Sequence, residues 1–243
     1  ITGKHPTYYA LADNGYFYVY NLLEEIDSPG EYYIDKEGIL YLYPPEDTEI
    51  TNAEISITQV DSPLLWFRST HDIVFDGITF GNTRGLTIFL EDGDNGVKNI
   101  VFKNCTFKNT GDKVCVNRGG RMSGIGFLNC EFKDVNGGVS LSAGSISNLT
   151  AGECFVENCT FDNFARIDET YNAAISFGGV GNRAIHNTIR NAPHYAITFS
   201  GNDHIIERND ISNVLKIGGD MAAIYVGRSW ISRGNKIRYN YIH

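Results

Sequence analysis

Three stretches, 100-IVFKNCTF-107, 125-IGFLNCEF-132 and 154-CFVENCTF-161, share one frame. Apolar residues fall at alternate positions, an asparagine follows, and a further apolar residue stands three positions on. The same frame extends backward to 73-IVFDGITF-80, with Gly77 in place of the asparagine. It extends forward through 183-RAIHNTIRN-191, 204-HIIERNDISN-213 and 236-KIRYNYIH-243. The asparagines at 104, 129, 158, 187, 209 and 240 recur with a period of 22 to 31 residues. Alternation at period two is the signature of a strand whose successive side chains face opposite ways. Short strands recurring at 20–30 residues without a helical pattern between them indicate a solenoid. In stacked coils about 4.8 Å apart, parallel strands pair from turn to turn. An asparagine at one corner of every turn would then stack as a ladder, its amide satisfying backbone groups left open by the bend.

A second set of strands follows each corner: 137-GGVSLSA-143, 173-AAISFGG-179, 195-YAITFSG-201 and 222-AAIYVGR-228. Val139, Ile175, Ile197 and Ile224 share an inward parity. Ser140, Ser176, Thr198 and Tyr225 share the outward one. The expected architecture is all-β: a right-handed parallel β-helix of roughly seven coils over residues 55–243, preceded by a small β-rich module over 1–54. Within that module, 31-EYYIDKEGILYLY-43 reads as two strands around a polar turn. The chain starts without Met and stops straight after a strand-like segment, so both ends are expected to be cut from a longer protein.

The totals narrow the partners. A net charge of −9 disfavours a polyanion such as DNA, which needs a basic face. No apolar run approaches the roughly 20 residues of a membrane span. Three of the five cysteines, Cys105, Cys130 and Cys159, sit in the repeat frame. They read as small buried hydrophobes rather than a disulfide framework or a metal site. Asp92 and Asp94 read as a solvated turn, because no full set of calcium ligands follows.

A β-helix core is filled by its own side chains, so chemistry must lie on an outer face or in loops. Aligning the second strands brings Asn172, His194 and Asp220 to one edge of the outward face, with Asp203, Tyr225, Arg228 and Trp230 nearby in sequence. Acids, histidine and arginine can bond to hydroxyls while aromatics stack on sugar faces. Glycosidic hydrolysis needs two carboxyl groups. Asp220 is the candidate for one, and Asp168 or Glu169 would have to reach over as the other. Elimination from a uronic acid would instead need a base such as Lys216 or Arg228.

Two long segments, 20-YNLLEEIDSPGEYYIDKEGILYLYPPED-47 and 191-NAPHYAITFSGNDHIIERNDISNV-214 continued by 218-GGDMAAIYVGRSWISRGNKIRYNYIH-243, resemble large bacterial carbohydrate-active β-helix proteins. The resemblance is to glycoside hydrolase family 141, which includes α-L-fucosidase and xylanase activities. Asp220, Ala223, Tyr225, Gly227, Arg228 and Trp230 match the family pattern. Ala222 stands where the family has glycine and Ser229 where it has aspartate. The resemblance implies an extracellular or periplasmic glycosidase acting on an oligo- or polysaccharide without metal or organic cofactor. It further implies that Asp220 is one catalytic carboxylate and that the second lies in a coil beyond His243. His194, Asp203, Asn172, Tyr225, Arg228 and Trp230 are the expected sugar contacts. The rival readings are a polysaccharide lyase and a non-catalytic carbohydrate-binding scaffold. Self-association through an uncapped end of the coil is a further expectation.

Overall fold

The computed structural model describes residues 19–53 and 55–243; the first eighteen residues of the expected N-terminal module lie outside them. The chain divides into two compact units, Ile1–Ser56 and Ile57–His243. In the first, Tyr32–Ile34 pairs antiparallel with Leu40–Leu42. Its turn is tied by Asp35, whose Oδ1 accepts from the backbone N–H of Glu37 at 3.0 Å and of Ile39 at 2.8 Å. That is the local carboxylate-to-backbone bonding that makes aspartate a turn residue.

The second unit is a parallel β-solenoid of about seven turns. Its first sheet stacks His71–Asp76, Val97–Lys103, Gly126–Leu128, Phe155–Glu157, Arg183–Ile185, Ile205–Glu207 and Lys236–Arg238, each parallel to the last. A second sheet starts at Thr79–Thr83 and ends at Tyr241–Ile242. A third runs from Leu65–Arg68 to Ile224–Tyr225. The strands Thr106–Arg118 and Glu131–Ser145 bend from the second sheet into the third.

Alternation puts like residues over like. Phe75, Phe102 and Phe127 stack with ring centroids 4.8 and 5.1 Å apart. Phe80, Phe107, Phe132 and Phe161 do the same at 5.3, 5.0 and 4.1 Å. These distances bracket the spacing of hydrogen-bonded strands, so backbone pairing and ring stacking are satisfied together. The five cysteines are buried free thiols. Burial pushes Cys154 up to about 12, so it stays a neutral packing group.

The register corrects one expectation: the six asparagines do not share a position. Glu157 pairs with Ile185 and Thr160 with Thr188, which sets Asn158 against His186 and Asn187 against Cys159. One column therefore holds Gly77, Asn104, Asn129, Asn158, His186, Arg208 and Tyr239, all left-handed with φ between 51 and 70. Its asparagines bond one to the next: Asn129 Nδ2 donates to Asn104 Oδ1 at 3.3 Å, and Asn158 Nδ2 to Asn129 Oδ1 at 2.8 Å. The neighbouring inward column holds Cys105, Cys130 and Cys159, then Asn187, Asn209 and Asn240. The N–H of Cys159 donates to Asn187 Oδ1 at 2.9 Å, that of Asn187 to Asn209 Oδ1 at 3.0 Å, and that of Asn209 to Asn240 Oδ1 at 2.9 Å. Asparagine suits both columns for different reasons. It tolerates left-handed φ at the corner, and its amide pairs backbone groups within the bend. Residue identity alone does not separate the two.

Candidate functional site

The candidate site is built where loops enter the last three turns of the third sheet. Ile175, Ile197 and Ile224 are in register, so Asn172 and His194 share a column, and Asp220 falls one residue earlier, in line with Tyr171 and Pro193. The loop that carries Asp220 is anchored by backbone: Leu215 N–H donates to His194 O at 3.0 Å, and Lys216 N–H to Pro193 O at 2.8 Å. Gly218 then turns at φ +92, which a side chain would resist, and delivers Asp220 at φ 53.

Asp220 meets two partners. The Tyr225 hydroxyl donates to its Oδ1 at 3.0 Å, and Arg228 Nη2 lies 3.8 Å from Oδ2. The Asp220 side chain is 59% accessible, so a ligand can reach it. Accepting that bond holds the proton on Tyr225, and the phenol's pKa is raised by the bond to Asp220 first and by burial second. Behind them stands a run of rings. His194 packs edge-on against Tyr195 at 4.1 Å, Tyr171 lies 5.3 Å from His194, and Tyr195 lies 5.4 Å from Tyr225. His194 is buried, and burial lowers its pKa against the opposing pull of the Asp220 charge, so the ring is neutral near pH 7. Neither His194 Nδ1 nor Asn172 Oδ1 has a hydrogen-bond partner among the described residues.

Asp220, Tyr225, Arg228 and His194 are therefore brought together, with Asn172 one turn below His194. Trp230 projects from the following loop and is 96% exposed. Asp203 is not brought to this group. It lies at the corner leaving the third sheet, whereas Asp220 lies on the loop entering it. At φ 57 it occupies a left-handed column whose neighbours in register are Gly181 and Gly234. The next residue, His204, is a rung of a third ladder. Its Nδ1 accepts from the Asn182 N–H at 3.1 Å, and its Nε2–H donates to Ser200 O at 2.9 Å. Asp168 is also committed elsewhere: its Oδ2 accepts from Asn136 Nδ2 at 2.9 Å.

Tyr171 and Tyr195 were not among the expected site residues. The signal for Tyr195 was a ring in a position that is alanine in both neighbouring turns, Ala173 and Ala222. Among the described residues no group of three or more His, Cys, Asp or Glu side chains is arranged to hold a metal ion. The loop with Asp92 and Asp94 is instead braced by Arg121, which donates to the carbonyls of Gly93 and Asp94. A separate depression of about 530 Å³, lined by Lys98, Arg121, Ser123, Asn148 and Thr150, lies in earlier turns and has no aromatic wall.

Over 91% of its length the chain superposes on a solved structure described as "Glycoside hydrolase", with a TM-score of 0.69 and 18% sequence identity. The two proteins share a fold. The chain spans about half of that structure, 49% of its length, and at this identity the likeness carries the architecture alone. No protein-family model matches the chain, and no curated protein matches it in sequence.

Proposed function

We propose that the chain is part of a carbohydrate-active β-helix, a glycoside hydrolase acting on a complex polysaccharide in the manner of a fucosidase or xylanase. The observation that carries this reading is the exposed Asp220 carboxylate, held by the Tyr225 hydroxyl at 3.0 Å on the outer face of the coil, with the exposed Tyr171 ring on the same run of aromatics. The exposed ring of Tyr171 offers apolar surface to a sugar face, while Asp220 and Arg228 offer bonds to hydroxyls and the buried His194 and Tyr195 back them from behind.

As an acceptor facing a protonated phenol and a guanidinium, Asp220 suits the role of base or nucleophile rather than proton donor. In the first role it would take a proton from water attacking the anomeric carbon; in the second it would bond to that carbon itself. The general acid would be a second carboxyl group on the opposite side of the glycosidic bond. With Asp168 bound to Asn136, that group would be Glu169, which is exposed in the same loop, or a carboxyl group from another part of a longer protein. Family 141 membership and an extracellular or periplasmic site of action belong to the same proposal.

Product analysis tests it. A version of the protein extended past His243 would be given xylan, fucosylated pectin and alginate, with Asp220→Asn in parallel. Products carrying an added water, absent in the variant, support the hydrolase. Unsaturated products would point to elimination. Binding without turnover, equal in both proteins, would leave a carbohydrate-binding scaffold, a reading favoured by Ser229 in place of the family's aspartate.

A further inference from the structure

The outward column that ends at Tyr225 can be followed back through every turn of the coil. Tyr225 is in register with Thr198, Thr198 with Ser176, Ser176 with Ser140, Ser140 with Val116, Val116 with Phe89, and Phe89 with Trp66. Six steps at ~4.8 Å set the two ends roughly 29 Å apart along the coil. The middle of the column is low: small hydroxyl side chains, two of which bond to each other, Thr198 Oγ1 donating to Ser176 Oγ at 3.0 Å. Its far end rises again in aromatic surface. Trp66 is 61% exposed and packs on the edge of Phe89 at 5.7 Å. Arg118 lies over the Phe89 ring at 5.3 Å.

Two residues along each strand, a charged column runs beside this platform. Arg68 and Arg118 both pair with Glu91, Arg68 Nε at 3.9 Å from Glu91 Oε2. An exposed indole flanked by guanidinium donors and a carboxylate acceptor matches a sugar ring, which has an apolar face and hydroxyls at its rim. Between the two end strands the backbone under the column is paired to the turn before and the turn after, so along the length of the track an added peptide strand would find no open N–H or C=O.

We infer that this face is one elongated track for a glycan chain lying along the coil axis, with Trp66 and Phe89 as a distal stacking platform for the substrate bound at Asp220. The inference rests on the carbohydrate-active reading and narrows it: the ligand is a polymer long enough to span both ends, not a single terminal sugar.

The chain contains two tryptophans, Trp66 and Trp230, so each can be made the only tryptophan and excited selectively at the red edge of its band, where tyrosine does not absorb. In Trp230→Phe, acrylamide quenching of Trp66 is measured with xylan, pectin or alginate and with the di- and trisaccharides of each. The track predicts protection of Trp66 by a polymer but not by the short sugars. In Trp66→Phe, Trp230 reports whether ligand reaches the Asp220 end. Polymer protecting Trp230 while Trp66 stays fully quenchable overturns the track and leaves the functional reading standing. No response from either tryptophan to any glycan overturns both. Trp66→Ala with Phe89→Ala, checked for folding by circular dichroism, is expected to weaken polymer binding about tenfold or more and leave short-oligosaccharide binding unchanged. Equal losses for both lengths would count against a distal platform.

Discussion

Tyr225 and Asp220 are joined by a 3.0 Å hydrogen bond across a single loop, with the phenol as donor and the carboxylate as acceptor. The bond makes the two side chains one unit: the carboxylate is aimed, and the phenol cannot ionise without meeting a negative charge. Behind that unit His194 and Tyr195 are buried and packed edge to face, and they support Tyr171, whose exposed ring is a surface against which a sugar can lie.

The coupling is measurable without a substrate. Because the bond to Asp220 is the first cause of the raised Tyr225 pKa, Asp220→Asn should let this tyrosine ionise at lower pH than in the native protein. NMR titration of ring-labelled tyrosine would show the Tyr225 midpoint falling most, with a smaller fall at Tyr195, which also feels the Asp220 charge; an unchanged Tyr225 titration would mean the bond does not persist in solution. If the chain takes part in hydrolysis, Tyr225→Phe should slow turnover by about tenfold to a hundredfold, as expected for losing one bond to a charged acceptor. Asp220→Asn should slow it by about a hundredfold to ten-thousandfold.

His204 makes the coil acid-sensitive. Its Nδ1 must stay unprotonated to accept the Asn182 N–H, and burial, the leading cause, lowers its pKa against the opposing pull of the bond to Ser200 O and, last, of the Asp203 charge. A lowered folded-state pKa means that the unfolded chain binds the proton more readily. Stability is then fully present above the unfolded value of about 6.5 and is lost as pH falls below it. Melting temperature should drop between pH 7 and pH 5. His204→Asn keeps an acceptor of the kind that Asn182 and Asn235 supply in register, so it should flatten that drop. An equally steep drop in the variant would shift the effect to His194, whose pKa burial also lowers.

The inner ladder should be expensive to interrupt. Asn209 accepts from the Asn187 N–H at 3.0 Å and donates to Ala184 O at 3.0 Å, both buried. Asn209→Ala leaves both groups unpaired and should cost about 2–5 kcal/mol in denaturant unfolding. Asn209→Cys, which copies the residue used in this column at Cys105, Cys130 and Cys159, should cost less. Equal losses would show that the thiol carries none of the pairing.

A polypeptide of these 243 residues presents the strands Lys236–Arg238 and Tyr241–Ile242 at the end of their sheets, with Ile237 and Ile242 about half exposed. Unpaired strand edges beside apolar side chains favour association with another chain. Light scattering at rising concentration should show species larger than a monomer; a monodisperse monomer throughout would refute this.

The sequence was explicit about everything that depends on parity and period. Alternation fixed strands, the inward face and the outward column of Ser140, Ser176, Thr198 and Tyr225, because a strand has only two sides. Recurrence of the frame fixed a solenoid, since each turn can bury its apolar face only against the next.

Two things were decided by the tertiary structure. The first was the split of the asparagines into a left-handed corner column and an inner ladder: the fold aligns backbone conformation, and one residue type serves both positions. The second was membership of the site. Strand alignment alone already sets Asp220 one residue before the His194 column, but only the folded loop brings Tyr225 onto its carboxylate and leaves Asp203 at the opposite corner of the sheet. Loop paths follow from backbone bonds such as those of Leu215 and Lys216 to the preceding turn. Those partners are distant in sequence and become neighbours only when the turns stack.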